Sequence, residues 1–334
     1  MSTRGLFVIS LDFELYWGMF DKVSLKEYGA NIKGAHAAIP ELLALFTARG
    51  IHATWAAVGM LMCKDRDALR ALLPKEALRP VYADMRTSSY AHIEGIRLGY
   101  DEREDPYHFG ASLVRMIAAT EGQELASHTF SHFYCLDGEQ NAPEVFAADC
   151  DAQEEASAPY GVRMTSIVFP RNQTTQEALA MCAQKGYTAY RGTPEHFLYT
   201  GKKEAVQVNP LLRGLRLIDA YINLTGHHTY PLAAVREGAL ANVLGSRFLR
   251  PYTPRLRFLE PLRLARIKAG MTRAAKKGEV FHLWWHPHNF GINRKENLAF
   301  LTALLEHFAY LQETYGMESA HMREAAIRAN GSSL

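Results

Sequence analysis

Two rhythms alternate along the chain. Leu6 to Leu11, LFVISL, is an unbroken apolar run of the kind that forms a strand buried on both faces. From Asn31 to Arg49 the apolar positions switch to helical spacing, with Ile39, Leu42, Leu43 and Phe46 on one side and Gly50 as the stop. IHATWAAVG follows as a second buried strand, and strand, helix, strand with a short Gly-marked link is the βαβ unit of a parallel sheet. The rhythm resumes with a helix over about Tyr107 to Thr120 and a strand ending at Ser127. Then come a helix over Pro143 to Ala158, the strand TSIVFP, a helix over Thr174 to Lys185 and the strand YTAYRG. Past Gly192 the pattern blurs: a strand is expected at Leu215 to Asp219, then a polar loop, INLTGHHTYP, whose His227 and His228 read as loop side chains rather than ligands. EVFHLWWHPHNF is the last strong strand, Asn297 to Tyr315 the closing helix, and NGSSL a frayed end.

Two stretches break the alternation. Residues from about 61 to 109 are charged and contain Pro and Tyr, which reads as an insertion forming a lid or a substrate wall. From about 247 to 277 the chain carries ten Lys and Arg against one acid, Glu260. That segment is either a surface helix with a solvated basic face or a patch for an anionic substrate group or a membrane surface. The remainder reads as one domain, 1–334, with no internal repeat.

Composition adds little. A formal net charge of +2 makes no global case for nucleic acid. No apolar run approaches the roughly 20 residues of a membrane span, and the first residues run into a core strand without a leader-like segment. Cys63, Cys135, Cys150 and Cys182 form no CxxC pair, so reduced thiols and a cytoplasmic location are expected.

The chemistry sits at strand ends. Asp12 and Glu14 follow the first strand two residues apart, so both point the same way. His128 and His132, in QELASHTFSH, follow the third, and at a spacing of four they can reach a single cation. Arg171 follows the fourth in FPRN, and His286, with His288 close by, follows the last. Two histidines and a carboxylate leave positions open on a divalent metal, the equipment for hydrolysing an amide or ester. Asp12 and His286 can divide the roles of base and acid, with Arg171 keeping the base carboxylate ionised. The residues alone leave open which of Asp12 and Glu14 binds metal, and whether His286 or His288 is the acid.

Over about Leu6 to Phe290 these motifs resemble those of the NodB-homology polysaccharide deacetylases, carbohydrate esterase family 4. SLDFE stands where that family has its aspartate pair, GQELASHTFSH where it has its metal-binding histidines, FPRN its arginine motif and HLWWHPH its late histidine. Here Phe13 separates the two acids and the second is a glutamate, closer to an Asp-x-Glu branch. The resemblance implies a distorted, incomplete (β/α)7 barrel, one divalent metal, usually zinc, and removal of N- or O-acetyl groups from sugars. It assigns Asp12 as base, His286 as acid, Arg171 as partner of the base, and Glu14, His128 and His132 as metal ligands. With a cytoplasmic location, the expected substrate is a nucleotide- or lipid-linked acetylated precursor of a bacterial surface polysaccharide, its phosphates met by Arg255, Arg257 and Arg263. Competing expectations are a cyclic amide or ureide hydrolase on the same fold and a noncatalytic sugar-binding module.

Overall fold

Every residue of β1 (Leu6–Phe13) is buried, as its apolar run requires, and the rest of the protein is wrapped around it. The computed structural model describes residues 4–137, 141–194, 196–199, 209–236 and 238–331. The further strands are β2 (Ala53–Ala57), β3 (Gln123–Ser127), β4 (Ser166–Ile167), β5 (Ala189–Tyr190), β6 (Tyr230–Pro231), β7 (Ala241–Asn242), β8 (Arg247–Phe248), β9 (Glu279–Trp285) and β10 (Glu318–Ala320). Parallel pairing runs β9-β1-β2-β3-β4-β5-β7, and β8 pairs in parallel with β9.

The segment from β7 to β8 bends the sheet round on itself. Val243 and Gly245 donate their amides to Tyr190 and Gly192 on one side, while Ser246 and Leu249 donate to His282 and Trp284 on the other. Seven staves result, one fewer than an eight-stranded barrel. The barrel is distorted because its last stave is two short pieces that face different neighbours.

Parity sorts the strand residues. Phe7, Ile9, Leu11 and Phe13 belong to a cluster shared with the surrounding helices. Leu6 and Val8 join Ala56, Ala126, Val168, Ala189, Ala241 and Val280 inside the barrel, where small side chains suit the narrow space. Met322, Ala325, Ala326 and Ala329, from the helix Met322–Ala329, close its amino-terminal end.

Several boundaries differ from expectation. The first helix is Leu25–Ala48, starting a turn and a half before Asn31, because the Glu27 carboxylate accepts from both the amide and the hydroxyl of Ser24 and closes the first turn. Leu215 to Asp219 is not a strand but the end of the helix Pro210–Asp219; Asn209 caps it by accepting from the amides of Leu211 and Leu212, and Pro210 suits its first position. The basic segment is not one solvated helix. It opens as β8, turns through Pro254–Leu259, and becomes the helix Glu260–Lys277, whose Arg263 and Arg266 are buried. Of the expected frayed end, residues 332–334 lie outside the described residues. Among the described residues no helix is long and apolar enough to cross a membrane.

Candidate active site

Inward parity gathers polar groups at the carboxyl ends of the strands. Beyond Leu6 and Val8, the inward row of β1 continues with Ser10 and Asp12, and Glu14 comes next. The same count brings His128 in after Ala126, His286 after His282 and Trp284, and Arg191 after Ala189. Asp12, Glu14, His128, His132, Arg171 and His286 all line one cavity of about 430 Å³.

Glu14, His128 and His132 are buried, and one potential ligand atom from each lies within 4.8 Å of the others. Glu14 Oε2 is 3.5 Å from His128 Nε2 and 3.2 Å from His132 Nε2. His128 Nδ1 is 2.7 Å from the Val168 carbonyl, an acceptor only, so that nitrogen carries the proton. His128 therefore turns Nε2 towards the Glu14 carboxylate, and with that nitrogen free of a proton a cation between them would be held by both. His132 Nδ1 meets the Tyr134 hydroxyl at 3.0 Å, and burial pushes His132 down to about 4, so it is neutral near pH 7. Burial pushes Glu14 up, but His286, His128 and His132 outweigh it and hold the carboxyl well below its usual range. An oxygen and two imidazole nitrogens form a donor set that fits zinc. Gly18 completes the cradle: a Cβ there would overlap the carboxylate carbon and both oxygens of Glu14.

The partner of Asp12 is Arg191, not Arg171. Arg191 Nη1 and Nη2 donate to the two Asp12 oxygens at 2.6 and 2.7 Å, with further bonds to Ser10 Oγ at 3.0 Å and Asn172 Oδ1 at 3.2 Å. The guanidinium lies 4.1 Å from the centre of the Trp284 ring. Burial raises the Asp12 pKa, but the charge and hydrogen bonds of Arg191 prevail and hold it below the ordinary value. Ser10 in turn gives its proton to His282 Nε2 at 2.7 Å, because His282 Nδ1 donates to the Val243 carbonyl. Arg171 lines the same cavity but pairs with Asp21 and with Asp137, and lies 4.0 Å from the centre of the Tyr134 ring. The physical reason is register: Arg171 is out of step with the inward-facing Val168, and its own backbone is left-handed, with φ 53°. Arg191 lies two places after Ala189 on the inward side, at a strand end like the others, a position that emerges from the pairing of β5.

His286 Nε2 stands 3.7 Å from Asp12 Oδ2 and 3.7 Å from Glu14 Oε1. Its ring stacks on His288 at 5.0 Å and meets Phe248 and Trp284 edge-on. His288 is buried behind it, pushed down to about 3 by burial and by the charge of His286, and is not among the cavity's lining residues.

The histidine loop is held by groups outside the cavity. Asp149 accepts from the amides of Phe130 and Ser131 and from the Ser131 hydroxyl. From the segment between β2 and β3, Ser89 Oγ donates to the Ser131 carbonyl at 2.7 Å, and the Tyr82 hydroxyl accepts from the Tyr134 amide at 3.1 Å. Left-handed backbone at Leu15, Thr129, His132, Arg171 and Asn172 clusters at this end, each costing about 1–3 kcal/mol that the surrounding bonds must offset.

No family model matches the chain, and no curated protein matches it by sequence. Solved structures do. A Mycobacterium smegmatis protein assigned as a polysaccharide deacetylase aligns over 99% of this chain and 93% of its own, with TM-score 0.57 and 14% identity. A Pseudomonas aeruginosa PAO1 protein with the same assignment aligns over 98% and 91%, with TM-score 0.52 and 12% identity. The chain has the polysaccharide deacetylase fold. PuuE allantoinase is similar too, over 98% and 90% of the two chains with TM-score 0.52 and 12% identity, so the deacetylase fold is shared with an enzyme of another name.

Proposed function

We propose that this protein is a metal-dependent hydrolase that removes an acetyl group from a sugar. The observation that carries this reading is one cavity in which an arginine-clamped carboxylate, Asp12, and a partly exposed histidine, His286, flank the Glu14–His128–His132 donor set. A divalent cation held by Glu14, His128 and His132, zinc in our reading, supplies Lewis acidity that polarises a carbonyl oxygen and eases the loss of a proton from water.

The chain's own residues do the rest. Asp12, kept ionised by Arg191, takes a proton from the attacking water as its oxygen bonds to the acetyl carbon. His286 Nε2 gives a proton to the leaving nitrogen or oxygen as its bond to that carbon breaks, which yields acetate and a free amine or hydroxyl. His288, too deeply buried to reach the cavity, supports the His286 ring by stacking. Phe248 and Trp284 offer apolar faces beside it for a sugar ring.

In this reading the sugar is a precursor of a bacterial surface polysaccharide, deacetylated in the cytoplasm. Buried cysteines at Cys63, Cys135, Cys150 and Cys182 suit that reducing compartment. The test is acetate release from a panel of free and carrier-linked N- and O-acetylated sugars, with allantoin included, using metal-stripped protein before and after zinc is restored. Zinc-dependent acetate release is expected. Turnover of allantoin without acetate release from any sugar would replace this reading with that of a cyclic ureide hydrolase.

A further inference from the structure

Charge is distributed unevenly around the cavity. Among the described residues its lining includes six cations, Lys22, Arg171, Arg213, Arg216, Arg247 and Arg250, against two acids, Asp12 and Glu14. Both acids are engaged, Asp12 by Arg191 and Glu14 in the donor set. Arg171 is paired with Asp21 and Asp137, and Arg247 with Asp219.

Arg250 is different. It is half-buried, yet no group among the described residues accepts a hydrogen bond from its guanidinium, while its backbone carbonyl accepts from Arg263. Burial, with Arg216 and Arg263 as like-charged neighbours, lowers its pKa. Holding a guanidinium in that setting is unfavourable unless an anion enters. Arg213, exposed on the helix Pro210–Asp219, and Lys22, exposed on the loop after β1, present to the same space further charge that no acid among the described residues pairs.

We propose that Arg250 and Arg213, with Lys22, form a subsite for the diphosphate of a carrier-linked acetylated sugar. This rests on the acetyl-hydrolase reading and deepens it. Two guanidinium forks match phosphate oxygens in a way that scattered surface lysines do not. A cavity of about 430 Å³ has the size of a small-ligand site. The arginines expected to do this from sequence do not. Arg263 is buried, pairs with Glu260 and stacks on Phe300, and Arg255 and Arg257 are exposed but outside the cavity.

The carrier is either a nucleotide or a lipid, and both present the same diphosphate. Calorimetric titration of the zinc-loaded protein with UDP and with farnesyl diphosphate, at fixed ionic strength, separates them. The carrier to which the protein is adapted binds the tighter. Arg250→Ala and Arg213→Glu each weaken that binding about tenfold or more, the scale of one charge-assisted hydrogen bond, and Arg257→Ala does not. Arg213 is exposed, so its variant keeps the test valid if Arg250→Ala unfolds.

Wild-type affinity in both Arg250→Ala and Arg213→Glu would overturn the proposal, as would an equal loss in Arg257→Ala or no binding of either diphosphate. Arg250- and Arg213-dependent binding without acetate release from any acetylated sugar would instead count against the acetyl-hydrolase reading and leave the subsite standing.

Discussion

The two ends of the barrel each bury a glutamate against histidine, and among the described residues only one of them gathers a donor set that could hold a cation. At the amino-terminal end, Glu124 accepts from the Thr54 hydroxyl at 2.7 Å, the Ser166 hydroxyl at 2.6 Å and the Arg323 amide at 3.3 Å, with His321 beside it. The charge is met by donors, and the helix Met322–Ala329 seals it in. At the carboxyl-terminal end, Glu14 faces two imidazole nitrogens, and the proton of His128 is turned away to a carbonyl. A buried acid is thus not a site in itself. What distinguishes the two is whether hydroxyl and amide donors already meet the oxygens of the acid.

The comparison can be broken by changing one acid at a time. Glu14→Gln removes a charged ligand and lowers kcat/KM for acetyl hydrolysis by on the order of a thousandfold, about 4 kcal/mol of transition-state stabilisation. Glu124→Gln instead costs about 1–3 kcal/mol of stability through mismatched donors, with zinc still bound. Thermal melts and metal analysis of the two purified variants check this; zinc loss in Glu124→Gln would erase the distinction.

The two arginines sharpen it further. Because Arg191 holds the Asp12 carboxyl low, Arg191→Lys, which cannot reproduce the two-pronged bond, lets the pKa of Asp12 rise. The base is then protonated at higher pH. The acid limb of the pH–rate profile moves to higher pH, and the rate at neutral pH falls by about 10²-fold, within the range ascribed to general-base catalysis. Arg171→Lys leaves that limb where it is, since Arg171 pairs with Asp21 and Asp137. The smallest effect is steric. Gly18→Ala pushes on the Glu14 carboxylate and weakens zinc binding about 10–100-fold, whereas Gly95→Ala, with open space around it, does not.

Much of this is legible in the amino-acid order. A buried parallel strand places its end residues at the active end of a barrel, so Asp12, Glu14, His128, His132 and His286 can be named from apolar runs and the polar residues just beyond them. Arg171 also follows a strand and lines the cavity, yet it is out of step with the inward-facing Val168 and its guanidinium pairs with other acids. Which residues of an unbroken apolar run face inward is not written in the run. Arg191 escapes notice because β5 is only two residues long and its inward parity emerges only from its pairing with β4 and β7. The basic segment misleads for a related reason: charge counted along a sequence does not say which side chains turn inward, and Arg247, Arg263 and Arg266 do. Gly18 and the sealing helix Met322–Ala329 act through close approach and closure, which no spacing rule reports.

The most direct test is zinc titration of the metal-stripped wild-type protein, Asp12→Asn and Glu14→Gln, with acetate release then measured in each. One tightly bound zinc is expected in the wild type, one in Asp12→Asn with acetate release nearly abolished, and none at comparable affinity in Glu14→Gln. Loss of zinc in Asp12→Asn with retention in Glu14→Gln would contradict this, exchanging the roles of base and ligand.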